Sequence, residues 1–182
     1  MALRGRSYFN DENCFFVTTT VINHLNVFSS PNACEILIKN IKYYQEKYHF
    51  QILAYVIMPS HFHWIITTDN EFGTISDIMR DLKKYSAWDI MDFIQKSDEN
   101  KFMKYFEGAG EKYKGQKRKF WQERFDDVIL KSRKFFLQKL NYIHNNPVKA
   151  GIVDNPEDYT YSSARNYKYS DHSVIYVETD VL

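Results

Sequence analysis

The chain has 182 residues, 44% of them hydrophobic, which fits one ordinary domain with a packed core and excludes a disordered chain. Its net charge of +1 says nothing about a polyanionic partner, and Cys14 and Cys34 are too few for a disulfide scaffold and lack metal-ligand spacing. No apolar run approaches the roughly 18–20 residues that span a bilayer, and Met1-Ala2-Leu3-Arg4 leads straight into polar sequence, so a cytoplasmic protein is expected.

In chain order, residues 15–22 (FFVTTTVI) are β-branched and aromatic, and predict a first strand. Pro31-Asn32 turns the chain into a helix over about 33–48, with Ile36, Ile38, Ile41 and Tyr44 near helical spacing. Residues 50–58 (FQILAYVIM) predict a second strand. Pro59-Ser60 breaks it, and 61–68 (HFHWIITT) predict a third, antiparallel to the second. Thr74 can cap a long helix over about 75–95. A Gly- and Lys-rich loop follows. Residues 120–130 (FWQERFDDVIL) predict a fourth strand, and Ser132 opens a helix running to about Asn145. The order β-α-β-β-α-β-α predicts an α+β fold: a ferredoxin-like or RRM-like antiparallel sheet with helices packed on one face, and a further helix in the C-terminal third. One domain is expected over 1–182, with its core at about 10–155 and a tail from about 156.

Charge is polarised along the chain. Lys112, Lys114, Lys117, Arg118 and Lys119 fall within eight residues, and Lys131, Arg133, Lys134 and Lys139 follow. Residues 89–99 are acid-rich. A basic run is commonly just a solvated loop, so this pattern alone names no partner.

His61 and His63 stand two apart on the third strand. Side chains at that spacing share a face, with Cα atoms about 6.5–7 Å apart, so two imidazoles can converge on one ion. Phe62, Trp64 and Ile66 then point into the core. An HxH pair also occurs as ordinary hydrogen-bonded surface residues, and several metalloenzyme classes use it. On the last helix, Phe136, Leu140 and Ile143 form the apolar face. Tyr142 and Asn146 fall together on its flank near Lys139. Two readings stand for them. They form an active-site edge, or Tyr142 is an amphipathic filler and Asn146, preceding Pro147, ends the helix.

The strings YVIMPSHFHWII (55–66) and YIHNNPVKAGIV (142–153) strongly resemble the two signatures of the HUH single-tyrosine transposases, the IS200-like transposases. The branch that they resemble most is that of the REP-associated tyrosine transposases. FWQERFDD (120–127) and PEDYTYSSARNY (156–167) also resemble segments of that branch, so the resemblance covers about 10–170. It implies that His61 and His63 are metal ligands, that Tyr142 is the nucleophile, and that Asn146 is a third polar ligand. Ser60 stands where Asn is common and Trp64 where Leu is usual; neither removes a ligand.

The activity so implied is cleavage and rejoining of single-stranded or hairpin-flanking DNA. A tyrosine nucleophile conserves the phosphodiester energy in a 5′-phosphotyrosine and frees a 3′-hydroxyl that can attack back. A phenol is mostly protonated at neutral pH, so electrostatic help is expected from Mg²⁺ or Mn²⁺, the latter bound more tightly by imidazole. Candidate phosphate contacts are Arg80, Lys83, Lys84, Lys117, Arg118, Lys119, Arg124 and Lys139. His144 and Lys139 are neighbours of the tyrosine that could assist proton transfer. A non-cleaving hairpin-binding protein and a metal-dependent nuclease without a covalent step remain alternatives. Monomer and homodimer both remain open.

Overall fold

The structure is a computed structural model describing residues 13–113 and 115–181. Lys114 lies outside the described residues. Four strands form one antiparallel sheet in the order β2-β3-β1-β4: β1 (Cys14–Thr20), β2 (Gln51–Met58), β3 (His61–Thr67) and β4 (Asp126–Ile129). With α1 (Pro31–Tyr48) and α2 (Ile75–Lys96) this is the expected ferredoxin-like connectivity. The two helices pack on one face. There Val17, Ile57, Phe62, Trp64 and Ile66 meet Leu37, Ile41, Ile78 and Leu82 in the larger of two apolar clusters.

α2 starts where its sequence says it should. Thr74 accepts from the Asp77 N–H, and the Asp77 carboxylate accepts from the Thr74 N–H, which satisfies two amides that a helix start leaves free. The expected loop after α2 contains a short helix, α3 (Met103–Gly110), which buries Met103, Phe106 and Ala109. Two glycines disguise it in the sequence. Gly110 is needed there, because a Cβ would lie 2.5 Å from the Arg118 backbone nitrogen.

The expected fourth strand shrinks to β4. Phe120 and Trp121 leave the ladder for the core, and Val21 and Trp121 form only an isolated bridge. The last long helix, α4 (Arg133–Lys149), packs on the opposite face of the sheet from α1 and α2, which the expectation of helices on one face did not include. Phe136, Leu140 and Ile143 there cover Phe16, Ala54, Val56 and Ile65.

α4 also outruns its expected end. It passes through Asn146 and Pro147: the missing Pro147 N–H forfeits one helical bond, the Ala150 N–H still bonds the Asn146 carbonyl, and the Pro147 ring is buried. The stop comes at Gly151, with φ +67°. The Gly151 N–H bonds the Val148 carbonyl and the Ile152 N–H bonds that of Pro147, the paired bonds of a Schellman end.

The segment expected as a tail packs along β2. Ser162 bridges Val56, and the Tyr159 and Tyr167 hydroxyls donate to the carbonyls of Ile57 and Leu53 at 2.7 and 2.8 Å. It includes α5 (Ala164–Tyr169), and Ile175 and Val177 enter the main core.

Candidate active site

β3 alternates as its sequence predicts. Phe62, Trp64 and Ile66 face α1 and α2, while His61 and His63 face the α4 side, their ring centroids 4.7 Å apart. His63 is 4% exposed and stacks on Phe16 of β1, with centroids 5.6 Å apart. Thr18 stands opposite His63 in the β1–β3 ladder, and its hydroxyl lies 2.7 Å from Nδ1. The Ser60 hydroxyl lies 3.1 Å from Nδ1 of His61. Each imidazole thus has Nδ1 engaged by a neighbouring hydroxyl, and His63 presents Nε2 to α4.

α4 brings Tyr142 to that nitrogen. Its phenol oxygen lies 3.5 Å from His63 Nε2, a long contact, and the rings meet edge to face at 5.2 Å. Tyr142 is 40% exposed, so its ring is held on one side and open on the other. Lys139 and Lys149 place ammonium groups 5.8 and 5.9 Å from its centroid, and Lys139 lies 4.3 Å from that of Phe16. Burial pushes His63 down to about 3, helped by the nearby His61 and Lys139 charges. Burial also lowers His61, with His24 adding to it. Both imidazoles are therefore neutral near pH 7, the form that can ligate a metal.

Asn146 lies on α4 one turn after Tyr142 and is partly exposed. Its side chain makes no hydrogen bond among the described residues. His144 turns away from the phenol. Its Nε2 lies 2.9 Å from the Ser163 hydroxyl, which also accepts from the Tyr55 N–H. It ties α4 to the returning C-terminal segment, and is out of place as a proton carrier for Tyr142.

The eight candidate phosphate contacts do not form one patch. Only Lys139 lies beside the imidazoles. Arg80, Lys83 and Lys84 project from α2, across the sheet from α4. Arg80 is held by Asp77 and Asp81 at 2.8 and 3.0 Å, and Lys83 donates to the carbonyls of Gln122 and Glu123. Arg118 is taken by Gln95 and Glu107, and Lys119 stacks on Tyr113. Lys117 and Arg124 are exposed without an ion pair among the described residues.

Three site neighbours escaped the sequence reading: Thr18, Phe16 and Lys149. The first two depend on strand register, which alternation alone does not fix. Lys149 follows from helical spacing once α4 is known to pass Pro147.

The profile of the family described as "Transposase IS200 like" matches residues 16–146, a span that opens at Phe16 and closes at Asn146. The chain belongs to the IS200-like transposase family. A Haemophilus influenzae protein named as a REP-associated tyrosine transposase is 27% identical over 118 residues, 65% of this chain and 61% of that protein. The match thus spans less than two thirds of that relative. Among solved structures, a REP-associated tyrosine transposase bound to a REP hairpin superposes with a TM-score of 0.64 at 22% identity, covering 97% of this chain and 92% of that one. At that identity the likeness establishes the fold. No helix among the described residues is long and apolar enough to cross a membrane.

Proposed function

We propose that this IS200-like transposase is a REP-associated strand transferase. It cleaves and rejoins single-stranded DNA beside a hairpin through a 5′-phosphotyrosine on Tyr142, with a divalent metal on His61 and His63. The observation that carries the reading is the meeting of Tyr142 with His63 Nε2 inside one chain, which supports an active site built in cis. The hairpin partner is supported by the likeness to a REP-associated tyrosine transposase solved with a REP hairpin.

The imidazole pair fits a metal on its own chemistry. Both rings are neutral and adjacent, and a hydroxyl sits at each Nδ1. If Nδ1 carries the proton and donates to Thr18, the His63 Nε2 lone pair is free for an ion. Asn146 would add an oxygen donor from one turn along α4. Such an ion, Mg²⁺ or Mn²⁺, would polarise the scissile phosphate and offset its developing charge.

The chain's own groups do the rest. Tyr142 contributes the attacking oxygen. Its bond to phosphorus forms as the bond from phosphorus to the departing 3′ oxygen breaks, and that oxygen leaves as a hydroxyl. The phenol begins in contact with the ligand nitrogen, and its exposed side lets it swing away to admit the ion and phosphate. Lys139 and Lys149 place positive charge beside the ring, where the phosphate must sit. Phe16 backs His63 and fixes its plane.

The test is incubation with a hairpin oligonucleotide and Mn²⁺, followed by a denaturing gel. The wild type is expected to form a covalent adduct that Tyr142→Phe abolishes while still binding the hairpin. An undiminished adduct in the variant would sink the proposal. Cleavage that survives loss of Tyr142 without protein on the DNA would point to a hydrolytic nuclease.

A further inference from the structure

We infer that the groove between α2 and residues 115–123 takes the unpaired strand next to the hairpin, with Trp88 stacking on one of its bases. This rests on the strand-transferase reading above and names where the substrate's single-stranded part lies. The groove encloses about 830 Å³ and opens on the α2 side of the molecule, away from the imidazoles.

Three observations converge on it. First, Trp88 in its wall is 56% exposed, while Trp64 and Trp121 are 0% and 4% exposed. An indole left in water beside a cleft is a ready stacking platform, and Lys84 sits 5.1 Å from its ring centroid. Tyr113 lies in the opposite wall with Lys119 seated over its ring. Second, five lysine and arginine side chains line the groove against two carboxylates, Asp92 and Glu123; Lys83, Arg118 and Lys119 are engaged within the protein, which leaves Lys84 and Lys117 to meet phosphates. Lys117 there is exposed and has no ion pair among the described residues.

Third, one end of the groove is tied to the strand that pairs with His61. Its lining residue Gln122 donates its N–H to the Thr20 carbonyl at 2.8 Å, and Thr20 pairs with His61. One end of the groove therefore abuts the end of the sheet that carries the imidazoles. A duplex hides its base faces, so an exposed indole offers it little. An unpaired strand presents bases to stack and phosphates to neutralise, which matches aromatic rings interleaved with cations.

Trp88 is the one exposed tryptophan of three, so the red-shifted part of the intrinsic emission comes from it, and Trp88→Ala gives the background from Trp64 and Trp121. The full chain is titrated with a hairpin bearing an unpaired flank of about ten nucleotides, and with the same hairpin blunt-ended. The flanked hairpin is expected to quench the emission and the blunt one to leave it. Trp88→Ala is expected to weaken binding of the flanked hairpin about 5- to 100-fold without changing the blunt one. Equal quenching by both, or equal affinity of wild type and variant for the flanked hairpin, overturns the inference. Adduct formation is followed in the same samples at saturating DNA. An intact adduct without discrimination of the flank removes the groove alone. Quenching by the flank with no adduct from the wild type removes the strand-transfer reading and leaves the groove.

Discussion

Thr18→Val tests how the imidazole pair is held. Valine keeps the β-branched shape and suits the strand, so the change removes little besides the hydroxyl 2.7 Å from His63 Nδ1. His63 is 4% exposed, so water does not readily replace that partner, and a buried polar atom left unpaired costs about 1–3 kcal/mol. The ring also loses the contact that fixes its tautomer and aims Nε2 at α4. If His63 holds the proposed metal, removing such a support weakens affinity about 10- to 100-fold, or about 1.4–2.7 kcal/mol at 1.36 per decade. The assay is Mn²⁺ binding followed by the paramagnetic resonance of the free ion. Thr18→Ser, which keeps the oxygen, should restore most of the affinity. A folded Thr18→Val that binds Mn²⁺ like wild type would show that the Thr18 hydroxyl does not support His63.

Other outcomes follow from the supports of α4 and α2. Ser132→Ala removes the cap that accepts from the Phe135 N–H, and should cost about 1 kcal/mol of stability in denaturant melts. Phe136→Ala, at a site 0% exposed between α4 and the sheet, should cost about 3–5 kcal/mol. Asp81 is held down to about 2, first by Lys47, then by Tyr48 and Arg80. A depressed carboxylate stabilises the fold above its ordinary range near pH 4, and that contribution fades as pH falls towards 2. Asp81→Asn should therefore cost ~1 kcal/mol at pH 7, after allowing for solvent around Lys47, and the gap between variant and wild type should narrow below pH 4 and close only below pH 2. Lys117→Ala should lower the salt slope of DNA binding by about 1, whereas Arg80→Ala, already paired to two carboxylates, should leave it unchanged.

Much of the frame is legible in the residues because local rules agree with the global fold. Alternation around His61 and His63 puts Phe62, Trp64 and Ile66 inside and both imidazoles on the other face. Thr74 and Ser132 start their helices where capping chemistry predicts. The misses are places where tertiary packing overrules local preference. α3 forms despite Gly108 and Gly110 because Met103 and Phe106 have a core to enter. α4 continues past Pro147 because Gly151 closes it a turn later. Phe120 and Trp121 leave the ladder because burial outweighs pairing. The link from Thr18 to His63, and the one from His144 to Ser163, join residues 45 and 19 positions apart, and no local periodicity reveals such pairs. The scattered cations show the same limit. Lys83 reads as a phosphate contact, yet it spends its donors on two carbonyls.

The central claim is that one phenol among fourteen tyrosines attacks the DNA. Peptide mapping of the covalent complex addresses it directly. Cleavage after Lys139 and Lys149 releases residues 140–149, in which Tyr142 is the single tyrosine. This peptide, and no other, is expected to carry the nucleotide phosphate. The DNA found on a peptide with any other tyrosine would contradict the claim.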